Sequence, residues 1–507
     1  MSRTAADIGA GLDRVRGARA IRPGERIHVV GIAGAGASGA ALLAAGLGAE
    51  VSGCDSGGPS PYAPALEAAG IPIEWQHEAA HVAATAGGRP DRLAVTKALT
   101  SIDPDNAELD AARRLGIPLE PWQQVVADAG VGRRLVAVAG THGKSTTAGW
   151  LTHVLAAAGR DPSAFVGALL PSSVTGAAPA TARTGRGSEL IVEADEYAGN
   201  FDAYRPDLVA ITNVDWDHPD VFADRGAVVE AFARWIELVP AATLVVNVGD
   251  EGADLLRERL AGRAGRRATV AVDGSPRAAF ASLRAEIMAA GPAGTTIAFV
   301  GELAPARREV TLRVPGRHNV ANAAVVAAAA RELGVEWPEI MRGLETFEGV
   351  GRRLERKGEV GGVAVYDDYG HHPTAIRATL EAVRQREPGR RVWVAHEPLT
   401  FHRTAALGDD LAAALADADA VAVADIWAGR DRDTSIASAR ELARTVARLA
   451  PGMPAEAPGD VEATASWLAS QVRAGDVVLV MGGGRSYRIA DGLLERLRRR
   501  AEADSAS

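Results

Sequence analysis

The sequence predicts an α/β protein made of three successive blocks. Its 507 residues are enough for two or three domains. Short runs rich in Val, Ile and Leu alternate with Ala-rich helical stretches, which is typical of parallel strands joined by crossover helices. Two glycine-rich turns also stand between a predicted strand and a predicted helix. Such turns are where α/β sheets bind nucleotides.

The first block extends to about Pro121 and predicts a Rossmann-like domain. The strand IHVVGI leads through the turn and helix AGAGASGAALLAAG to the strand AEVSGCD. The turn GIAGAGASG, with Asp55 ending the next strand, is similar to a nucleotide fingerprint. Its glycines let the chain approach a diphosphate at the N-terminus of the helix. Tight strand-to-helix packing also selects small residues and is the alternative explanation.

The second block contains the phosphate-loop signal. The strand RLVAVA (134–139) is followed by GTHGKST, Gly140 to Thr146, and by a helix predicted from Thr146. Glycines let backbone N–H groups face an anion, a lysine ammonium reaches terminal phosphates, and a serine can ligate magnesium. Val138 replaces the first glycine of the full pattern, and an ordinary glycine-rich turn is the alternative. The strands ELIVEA and DLVAIT follow, and the block closes near residue 347.

Lysine is rare in this chain, which supports the phosphate loop. Only three of the 55 basic residues are lysine, namely Lys97, Lys144 and Lys357. Lysine carries a compact point charge, whereas arginine carries a planar fork. A lysine retained in the glycine-rich turn indicates that a point charge is needed there.

Acidic and histidine residues cluster at the ends of two predicted strands of the second block. They are Glu193, Asp195 and Glu196 in VEADEY, and Asp215, Asp217 and His218 in TNVDWDHPD. Carboxyl ends of strands border the ligand crevice, and carboxylates near a triphosphate are suitable magnesium ligands. Solvated loop acids are the alternative, and a Walker-B aspartate is a second role for the first cluster.

The third block repeats the alternation after FEGVGRR. Its predicted strands are VAVYDD, RVWVAHE, DAVAVADI and DVVLVMGG, each followed by a helix. Asp367 and Asp368 end the first of these strands, and the adjacent His371 and His372 are expected to point in different directions. A capped strand-to-helix turn is the alternative for this segment. Arg403, at the start of a helix, could bind a substrate carboxylate bidentately.

Composition excludes several classes of protein. The formal net charge is −9 without long like-charged blocks, so nucleic acid is not an expected partner. The longest apolar run, 323–330, is far shorter than the roughly 20 residues of a membrane-spanning helix. The lone Cys54 cannot form an internal disulfide, and the first residues do not resemble a signal peptide. We therefore expect a cytoplasmic protein, with a disordered tail after Leu497.

Taken in order, the motifs resemble those of the Mur ligases of peptidoglycan synthesis. The resemblance covers about residues 25 to 497 and rests on GIAGAG, GTHGKSTTA, EADEY, TNVDWDH, GRHNVANA, FEGVGRR, DDYGHHPT, RT and GDVVLVMGGG. It implies three domains. These are an N-terminal Rossmann-like domain that binds the UDP-sugar (1–121), a central ATP-binding domain with the phosphate loop (122–348), and a C-terminal Rossmann-like domain that binds the amino acid (349–507).

The resemblance also implies site residues. The triphosphate would be held by Gly140, Thr141, His142, Gly143, Lys144, Ser145 and Thr146. Ser145 would bind one magnesium ion, and Glu193 and His218 would bind a second. His318, Asn319 and Asn322 would contact adenine and ribose, and Arg353 and Asp368 would reach ATP on domain closure. Arg403 and His371 would face the amino acid, and Gly34, Gly36, Ser38 and Asp55 would lie at the UDP end. Lys144, Glu193, His218, Arg403 and His371 would be the catalytic group.

The implied activity is ATP-dependent amide-bond ligation with Mg²⁺. The carboxylate of UDP-N-acetylmuramate would attack the γ-phosphate of ATP, and the amine of L-alanine would then displace phosphate from the acyl phosphate. EADEY, DHPDVF and HHPTAI also resemble a related ligase that joins murein tripeptide to the same sugar nucleotide. A different class of protein, a non-catalytic nucleotide-binding regulator, would not require Lys144, Ser145, Glu193 and His218 together.

Overall fold

The computed structural model describes residues 8–83, 88–429, 431 and 433–505. Three sheets follow one another along the chain, each covered by helices. The predicted α/β class and the three successive blocks are therefore confirmed. Within these described residues, no helix is both long and apolar enough to cross a membrane.

The first sheet is wholly parallel, with strand order β3-β2-β1-β4-β5. Its strands are β1 Arg26–Val30, β2 Glu50–Cys54, β3 Ile73–Glu74, β4 Arg92–Val95 and β5 Leu119–Pro121. The helices are α1 Ala35–Gly46, α2 Ala63–Ala68, α3 Ala80–Ala83, α4 Lys97–Ile102, α5 Ala107–Leu115 and α6 Trp122–Ala129. The strand order changes direction at β1, so the turn between β1 and α1 lies at the switch point where such sheets bind ligands.

The second sheet has ten strands in the order β15-β14-β13-β12-β11-β10-β6-β9-β7-β8. The strands are β6 Arg134–Ala139, β7 Ser163–Leu170, β8 Ala180–Arg183, β9 Glu189–Ala194, β10 Leu208–Ile211, β11 Thr243–Asn247, β12 Arg267–Val272, β13 Leu283–Gly291, β14 Gly294–Gly301 and β15 Ala304–Leu312. The seven strands from β13 to β7 run parallel, and β8, β14 and β15 add antiparallel edges.

Helices cover the second sheet and bury its apolar strands. They are α7 Lys144–Ala157, α8 Ser172–Thr175, α9 Arg225–Glu237, α10 Glu251–Arg259, α11 Arg317–Glu332 and α12 Trp337–Thr346, with 3₁₀ turns at Tyr197–Ala203 and Ala278–Phe280. The alanines from Ala327 to Ala330 in α11 are fully buried. Small side chains let α11 pack closely against α7, the helix that follows the phosphate loop.

The third sheet has the order β16-β17-β21-β18-β19-β20, and only β16 is antiparallel. The strands are β16 Glu355–Val360, β17 Val363–Asp368, β18 Val392–Glu397, β19 Ala420–Ala424, β20 Ala455–Gly459 and β21 Val477–Gly482. The helices are α13 Pro373–Arg386, α14 Phe401–Leu415, α15 Ala439–Leu449, α16 Val461–Gln471 and α17 Tyr487–Ser505. All four strands predicted for this block are present.

Two sequence expectations need correction. The helix predicted from Thr146 begins at Lys144, so Lys144 and Ser145 lie in its first turn. The tail after Leu497 is helical as far as Ser505 rather than disordered. Arg499 pairs with Glu495 one turn earlier, and Arg500 donates to the carbonyl of Ala469 at 2.8 Å. These contacts extend the helix into a segment without large apolar side chains.

We propose the divisions after Pro121 and Glu348 as the domain boundaries, because each falls between two sheets. Helix α6, which follows the first division, packs against α1 of the first sheet. The first and second domains also meet where Gly39 lies against Phe165: a Cβ at Gly39 would come within 2.8 Å of that ring. This close approach positions the β1–α1 turn beside the second sheet.

Candidate active site

The phosphate loop connects β6 to α7, and its two glycines are required by its geometry. Gly140 and Gly143 have φ of 133° and 79°, the region that favours glycine. A Cβ at Gly140 would lie 2.3 Å from Thr212 Oγ1, and one at Gly143 would lie 2.6 Å from Asn322 Oδ1. The loop therefore presents bare backbone at the N-terminus of α7, where N–H groups face an anion.

Asn213, which follows β10, fixes the middle of the phosphate loop. Its Oδ1 accepts from the N–H of His142 at 2.8 Å, and its Nδ2 donates to the carbonyl of His142 at 2.8 Å. The backbone carbonyl of Asn213 accepts from the N–H of Thr141 at 3.1 Å. These three bonds hold the loop open toward the cavity without using the N–H groups of α7.

Lys144 is surrounded by carboxylates. Its Nζ lies 3.0 Å from Glu196 Oε2 and 3.4 Å from Asp195 Oδ1, and it donates to the carbonyl of Thr141 at 3.2 Å. Burial lowers the pKa of the Lys144 ammonium, but the charges of Glu196, Asp195 and Glu193 outweigh burial and raise it overall. Lys144 is therefore charged at neutral pH.

Ser145 and Glu193 form an oxygen pair beside the loop. Ser145 Oγ donates to Glu193 Oε1 at 3.0 Å, and the second carboxylate oxygen accepts from the N–H of Gly167 at 2.6 Å. Arg353, from the third domain, donates from Nη2 to Ser145 Oγ at 2.8 Å. The sequence predicted Ser145 and Glu193 as separate metal ligands, and the structure brings them into contact.

His218 lies at the end of the second acidic cluster. Its φ of 58° is unusual for a residue other than glycine, and its ring packs against Tyr197 at 4.5 Å between centroids. Ligand atoms of His218, Asp195 and Glu196 lie within 4.8 Å of one another. Burial lowers the pKa of His218 to about 4, so the ring is neutral at pH 7. Glu193, which was predicted to share a metal ion with His218, is not a member of this group, so that pairing stays a prediction.

Arg403 crosses from the third domain to this cluster. Its Nε donates to Asp217 Oδ1 at 2.8 Å, and its Nη2 donates to His218 Nδ1 at 3.1 Å. Burial raises the pKa of Asp217, but Arg403 and nearby histidines outweigh it, and the pKa lies well below the usual range. Arg403 therefore joins the third domain to one loop of the second domain at the edge of the cavity.

His371 and His372 diverge, as the sequence predicted. His371 Nδ1 lies 2.9 Å from the carbonyl of Tyr369, whereas His372 Nε2 lies 3.1 Å from the carbonyl of Trp216. The ring of His372 is also 4.7 Å from that of His142, between centroids. His371 faces the shared cavity, and His372 caps α13 and joins it to the second domain.

The Asp368 carboxylate accepts hydrogen bonds from backbone N–H groups of its own domain. Its carboxylate oxygens accept from the N–H groups of Leu354 and Gly370, both at 2.7 Å. Burial raises the pKa of Asp368. These bonds shape the turn that carries Arg353, whose guanidinium lies 4.8 Å above the ring of Tyr369.

The start of α11 borders the phosphate loop from the other side. Asn319 Nδ2 donates to the carbonyl of Pro315 at 2.7 Å, and Asn322 Nδ2 donates to Asn319 Oδ1 at 3.1 Å. His318 has a buried Nδ1 without a hydrogen-bond partner. All three residues line the cavity.

One cavity of about 820 Å³ lies where the three domains meet. The second domain contributes the phosphate loop and the acidic clusters, and the third contributes Arg353, His371 and Arg403. The first domain contributes Gly36, where a Cβ would lie 2.3 Å from Trp122. This volume is in the range of ligand-binding pockets.

Comparison with known proteins identifies the family. Models described as "Mur ligase family, catalytic domain", "Mur ligase middle domain" and "Mur ligase, glutamate ligase domain" match residues 26–132, 138–330 and 352–484. The UDP-N-acetylmuramate–L-alanine ligase of Kineococcus radiotolerans is 39% identical, over 94% of this chain and 97% of that protein. The chain belongs to the Mur ligase family.

Other relatives of this Mur ligase carry the same name or that of a related ligase. The enzyme of the same name from Mycolicibacterium smegmatis is 38% identical over 94% of this chain and 95% of its own. The crystal structure of the UDP-N-acetylmuramate-alanine ligase of Thermotoga maritima is 25% identical, with a TM-score of 0.76, and covers 94% of this chain and 99% of its own. A murein peptide ligase from Psychrobacter arcticus is also 25% identical, with a TM-score of 0.70 and the same coverage.

The four residues predicted at the UDP end of this Mur ligase do not all lie at the cavity. Gly36 lines the cavity, and Gly34 caps the N-terminus of α1. Ser38 is fully buried, and its hydroxyl bonds to Ala35 O and Thr181 Oγ1. Asp55 accepts from the N–H of Ala33 at 3.0 Å and of Gly57 at 2.8 Å. Of these four described residues, only Gly36 borders the cavity.

Some residues at or beside the cavity were not singled out in the sequence. Trp122 and Tyr369 line the cavity, and Thr374 donates to Asp215 Oδ2 at 2.8 Å across the domain boundary. Tyr369 and Thr374 stand within or beside the quoted DDYGHHPT segment, so their proximity to predicted residues was a signal. Trp122 carried no local signal, because its role depends on contact with Gly36.

The side chains beside the phosphate loop fit a magnesium ion. Ser145 Oγ and Glu193 Oε1 are oxygen donors 3.0 Å apart, and both residues line the cavity. Magnesium uses few protein oxygens and keeps several waters when it binds with a triphosphate. The carboxylates of Asp195 and Glu196 add negative charge that a divalent ion would compensate.

Proposed function

We propose that this Mur ligase joins L-alanine to the carboxylate of UDP-N-acetylmuramate in an ATP-dependent, ADP-forming reaction of peptidoglycan synthesis. One observation carries the proposal: a single cavity combines the phosphate loop, a carboxylate and histidine cluster, and cationic groups from the third domain. The names of relatives that are 36–39% identical over more than nine-tenths of this chain support the choice of substrates.

In the first step, a muramate carboxylate oxygen attacks the γ-phosphorus of ATP, the bond to ADP breaks, and an acyl phosphate forms. Two anions must approach each other, so positioning and positive charge carry most of the catalysis. Lys144, charged and at the start of α7, neutralises charge on the transferring oxygens. In that state its bonds to Glu196 and Asp195 are exchanged for bonds to phosphate oxygens.

The remaining ATP contacts are assigned around the loop. The backbone from Gly140 to Thr146 receives the triphosphate, while His318, Asn319 and Asn322 lie where adenine and ribose would bind. Arg353, now on Ser145 Oγ, is placed to reach a phosphate oxygen. Asp368 acts by shaping the turn that carries Arg353.

Ser145, Glu193 and His218 are the residues that would hold Mg²⁺. When bound, the ion neutralises phosphate charge and orients the triphosphate. Glu193 is fixed by the N–H of Gly167, so its free oxygen stays beside Ser145. His218 is kept neutral by burial, which leaves the imidazole able to act as a ligand.

In the second step, the alanine amine attacks the acyl carbon and phosphate leaves. Burial and Arg403 hold the pKa of His371 well below its usual value. The ring is therefore neutral, and because its Nδ1 faces the carbonyl of Tyr369, Nε2 is the nitrogen free to accept a hydrogen bond from the amine and orient it. Arg403 lines the cavity while it stays bonded to Asp217, and its guanidinium is assigned to the alanine carboxylate.

The sugar nucleotide is assigned to the first domain. The β1–α1 turn lies at the switch point of the first sheet, and Gly36 brings its backbone to the cavity beside Trp122. Gly34 caps α1, and Asp55 accepts from the backbone N–H of Ala33 in the turn, so both stabilise its conformation. Ser38 supports it through Thr181 of the second domain.

The test is phosphate release from ATP with substrates omitted one at a time. We expect turnover only when UDP-N-acetylmuramate and L-alanine are both present, with UDP-N-acetylmuramoyl-L-alanine as the product by mass spectrometry. Equal ATP turnover without the sugar nucleotide would contradict the proposal. Binding of ATP without turnover under any combination would favour the non-catalytic regulator.

A second candidate uses the same chemistry with a larger amine. The murein peptide ligase of Psychrobacter arcticus shares the fold with a TM-score of 0.70, close to that of the alanine-adding enzyme of Thermotoga maritima. The assay therefore includes the tripeptide L-Ala-D-Glu-diaminopimelate. A higher kcat/KM with the tripeptide than with L-alanine would transfer the assignment to the recycling ligase.

A further inference from the structure

A second cluster of metal-binding side chains lies in the first domain, apart from the cavity. His28 comes from β1, Cys54 ends β2, His81 lies on α3 and Glu108 lies on α5. One ligand atom from each of these four lies within 4.8 Å of the others. None of these four described residues lines the active-site cavity.

The distances centre on the carboxylate of Glu108. Cys54 Sγ is 2.8 Å from Glu108 Oε2, His81 Nδ1 is 2.5 Å from Oε1, and His28 Nε2 is 3.9 Å from Oε2. In a zinc site with bonds of about 2.0–2.3 Å, neighbouring donors of a tetrahedron lie about 3.3–3.8 Å apart. Small side-chain movements would bring the four donors to such a tetrahedron.

His28 gives an independent sign of a ligand. Its side chain is 2% exposed, and its Nε2 has no hydrogen-bond partner. The other nitrogen, Nδ1, lies 2.9 Å from Ser52 Oγ on the neighbouring strand. A metal-bound histidine usually engages its second nitrogen in this way, which orients the ring and fixes the tautomer.

A purely hydrogen-bonded network is the competing explanation. Glu108 accepts from Cys54, from His81 and from the backbone N–H of Glu78. That network satisfies the carboxylate but leaves the buried Nε2 of His28 without a partner, which is costly. It also does not explain why the only cysteine of the chain is buried beside His28, His77 and His81.

We propose that His28, Cys54, His81 and Glu108 form a structural site for a divalent cation of the zinc class. Two imidazoles, a thiolate and a carboxylate suit this borderline-soft ion, whereas magnesium prefers oxygen ligands only. On binding, the Cys54 thiol releases its proton to solvent, and the thiolate and the carboxylate compensate the two charges of the ion. Four protein ligands leave no open position for chemistry.

The site would join α3 to the strands of the first sheet. His81 is the ligand contributed by α3, a helix of only four residues, and the other ligands come from β1, β2 and α5. His77, from the preceding segment, lies 3.2 Å from Cys54 Sγ and 3.6 Å from Glu108 Oε2 through its Nδ1. It would lie next to the metal as an outer partner. Bound metal should therefore stabilise the fold of this domain.

The test uses cobalt(II) as a spectroscopic substitute for zinc. The untagged full-length protein is first stripped with a chelator and then titrated with cobalt chloride. Because Cys54 is the only cysteine, a cobalt–thiolate charge-transfer band reports this site alone, even if the cavity group His142, Asp215 and His372 also binds cobalt. We expect one equivalent of thiolate-bound cobalt per chain, displaced by zinc chloride.

A matched pair of variants separates binding from folding. His81→Gln, at a half-buried position, should weaken zinc affinity at least about tenfold, since even outer-sphere changes have that effect. His153→Gln, in the second domain, should leave it unchanged. Zinc should raise the Tm of the wild type by more than that of His81→Gln. Cobalt binding without a thiolate band, or equal zinc affinity in His81→Gln, would overturn the proposal.

Discussion

Lys144 supplies the positive charge at the phosphate loop. It is one of three lysines in the chain, and three carboxylates raise its pKa against the effect of burial. The compact ammonium fits between the carbonyl of Thr141 and Glu196. A guanidinium is larger and planar, so arginine should not replace it.

Lys144→Ala and Lys144→Arg should both lower kcat by at least about 10²-fold, because an electrostatic contact to the transferring phosphate is lost or displaced. Lys357→Arg is the matched control, since Lys357 Nζ makes only long contacts of 3.7 Å to Glu355 and 3.6 Å to Asp491. Phosphate release from ATP measures all three, with circular dichroism as a check on folding. Retained activity in Lys144→Ala would remove the phosphate loop from the mechanism.

Glu397 gives a pH dependence of stability. Burial raises the pKa of Glu397 to about 7 from an ordinary 4.5, although the N–H of Ser486 donates to it at 2.7 Å. The folded state therefore holds this proton more tightly than the unfolded chain. Its contribution is full below the unfolded pKa and is lost as the pH rises through about 7.

Glu397→Gln should accordingly lose less free energy of unfolding than the wild type between about pH 5 and about pH 8, because the amide does not ionise and can still accept from Ser486. Denaturant unfolding at the two pH values measures this. The exposed Glu456→Gln is the control and should follow the wild type. An identical pH dependence in Glu397→Gln and the wild type would show that Glu397 does not cause it.

At the scale of elements, the segment after β9 depends on a tether from the first domain. Lys97, at the start of α4, donates to the carbonyls of Ala198 and Gly199 at 2.9 and 3.1 Å. Both carbonyl residues have positive φ, 48° and 65°. The tether stabilises an unfavourable backbone next to Glu196, which contacts Lys144.

Lys97→Met should lower the free energy of unfolding by about 1.5–3 kcal/mol, the range for hydrogen bonds of charged groups. It should also speed hydrogen exchange in 198–200. Lys357→Met, which loses only long surface contacts, should cost about 0–1 kcal/mol. Denaturant unfolding and exchange mass spectrometry measure both variants. Equal losses in the two variants would show that the tether does not stabilise this segment.

Sequence periodicity predicted strands and helices well where the local pattern of apolar residues agrees with their burial in the fold. The strand predicted at 134–139 is β6, because a buried parallel strand is a continuous apolar run. The helical tail to Ser505 was not predicted, since its support comes from Glu495 and from the carbonyl of Ala469 on another helix. The pair with Glu495 is a local i,i+4 contact that the sequence could have indicated, whereas the contact with Ala469 is tertiary and propensity does not contain it.

At the scale of the whole molecule, the site is assembled by contacts between domains. Arg353 reaches Ser145 and Arg403 reaches Asp217, in each case across more than 180 residues of chain. The motifs had singled out all four of these residues as candidates. They could not predict these pairings, because no local pattern encodes which loops meet, and they did not show that Ser38 is buried against Thr181.

Arg403→Gln should impair closure of the third domain, because Asp217 would remain as a buried carboxylate without its partner. Removing one partner of such a buried pair destabilises the structure that contains it by about 3–5 kcal/mol. We therefore expect kcat/KM for L-alanine to fall by at least about 10²-fold. The radius of gyration should increase. Arg377→Gln, on the exposed face of α13, is the control. Kinetics and small-angle scattering measure these effects. Unchanged values for Arg403→Gln would exclude this role in closure.

The most direct measurement of the central claim follows an oxygen atom. UDP-N-acetylmuramate labelled with ¹⁸O in its carboxylate is turned over with ATP and L-alanine, and the released phosphate is analysed by mass spectrometry. An acyl phosphate formed beside Lys144 transfers one carboxylate oxygen to that phosphate, so each phosphate released from doubly labelled substrate should carry one ¹⁸O. Phosphate without label, formed during amide synthesis, would contradict activation of the carboxylate by ATP.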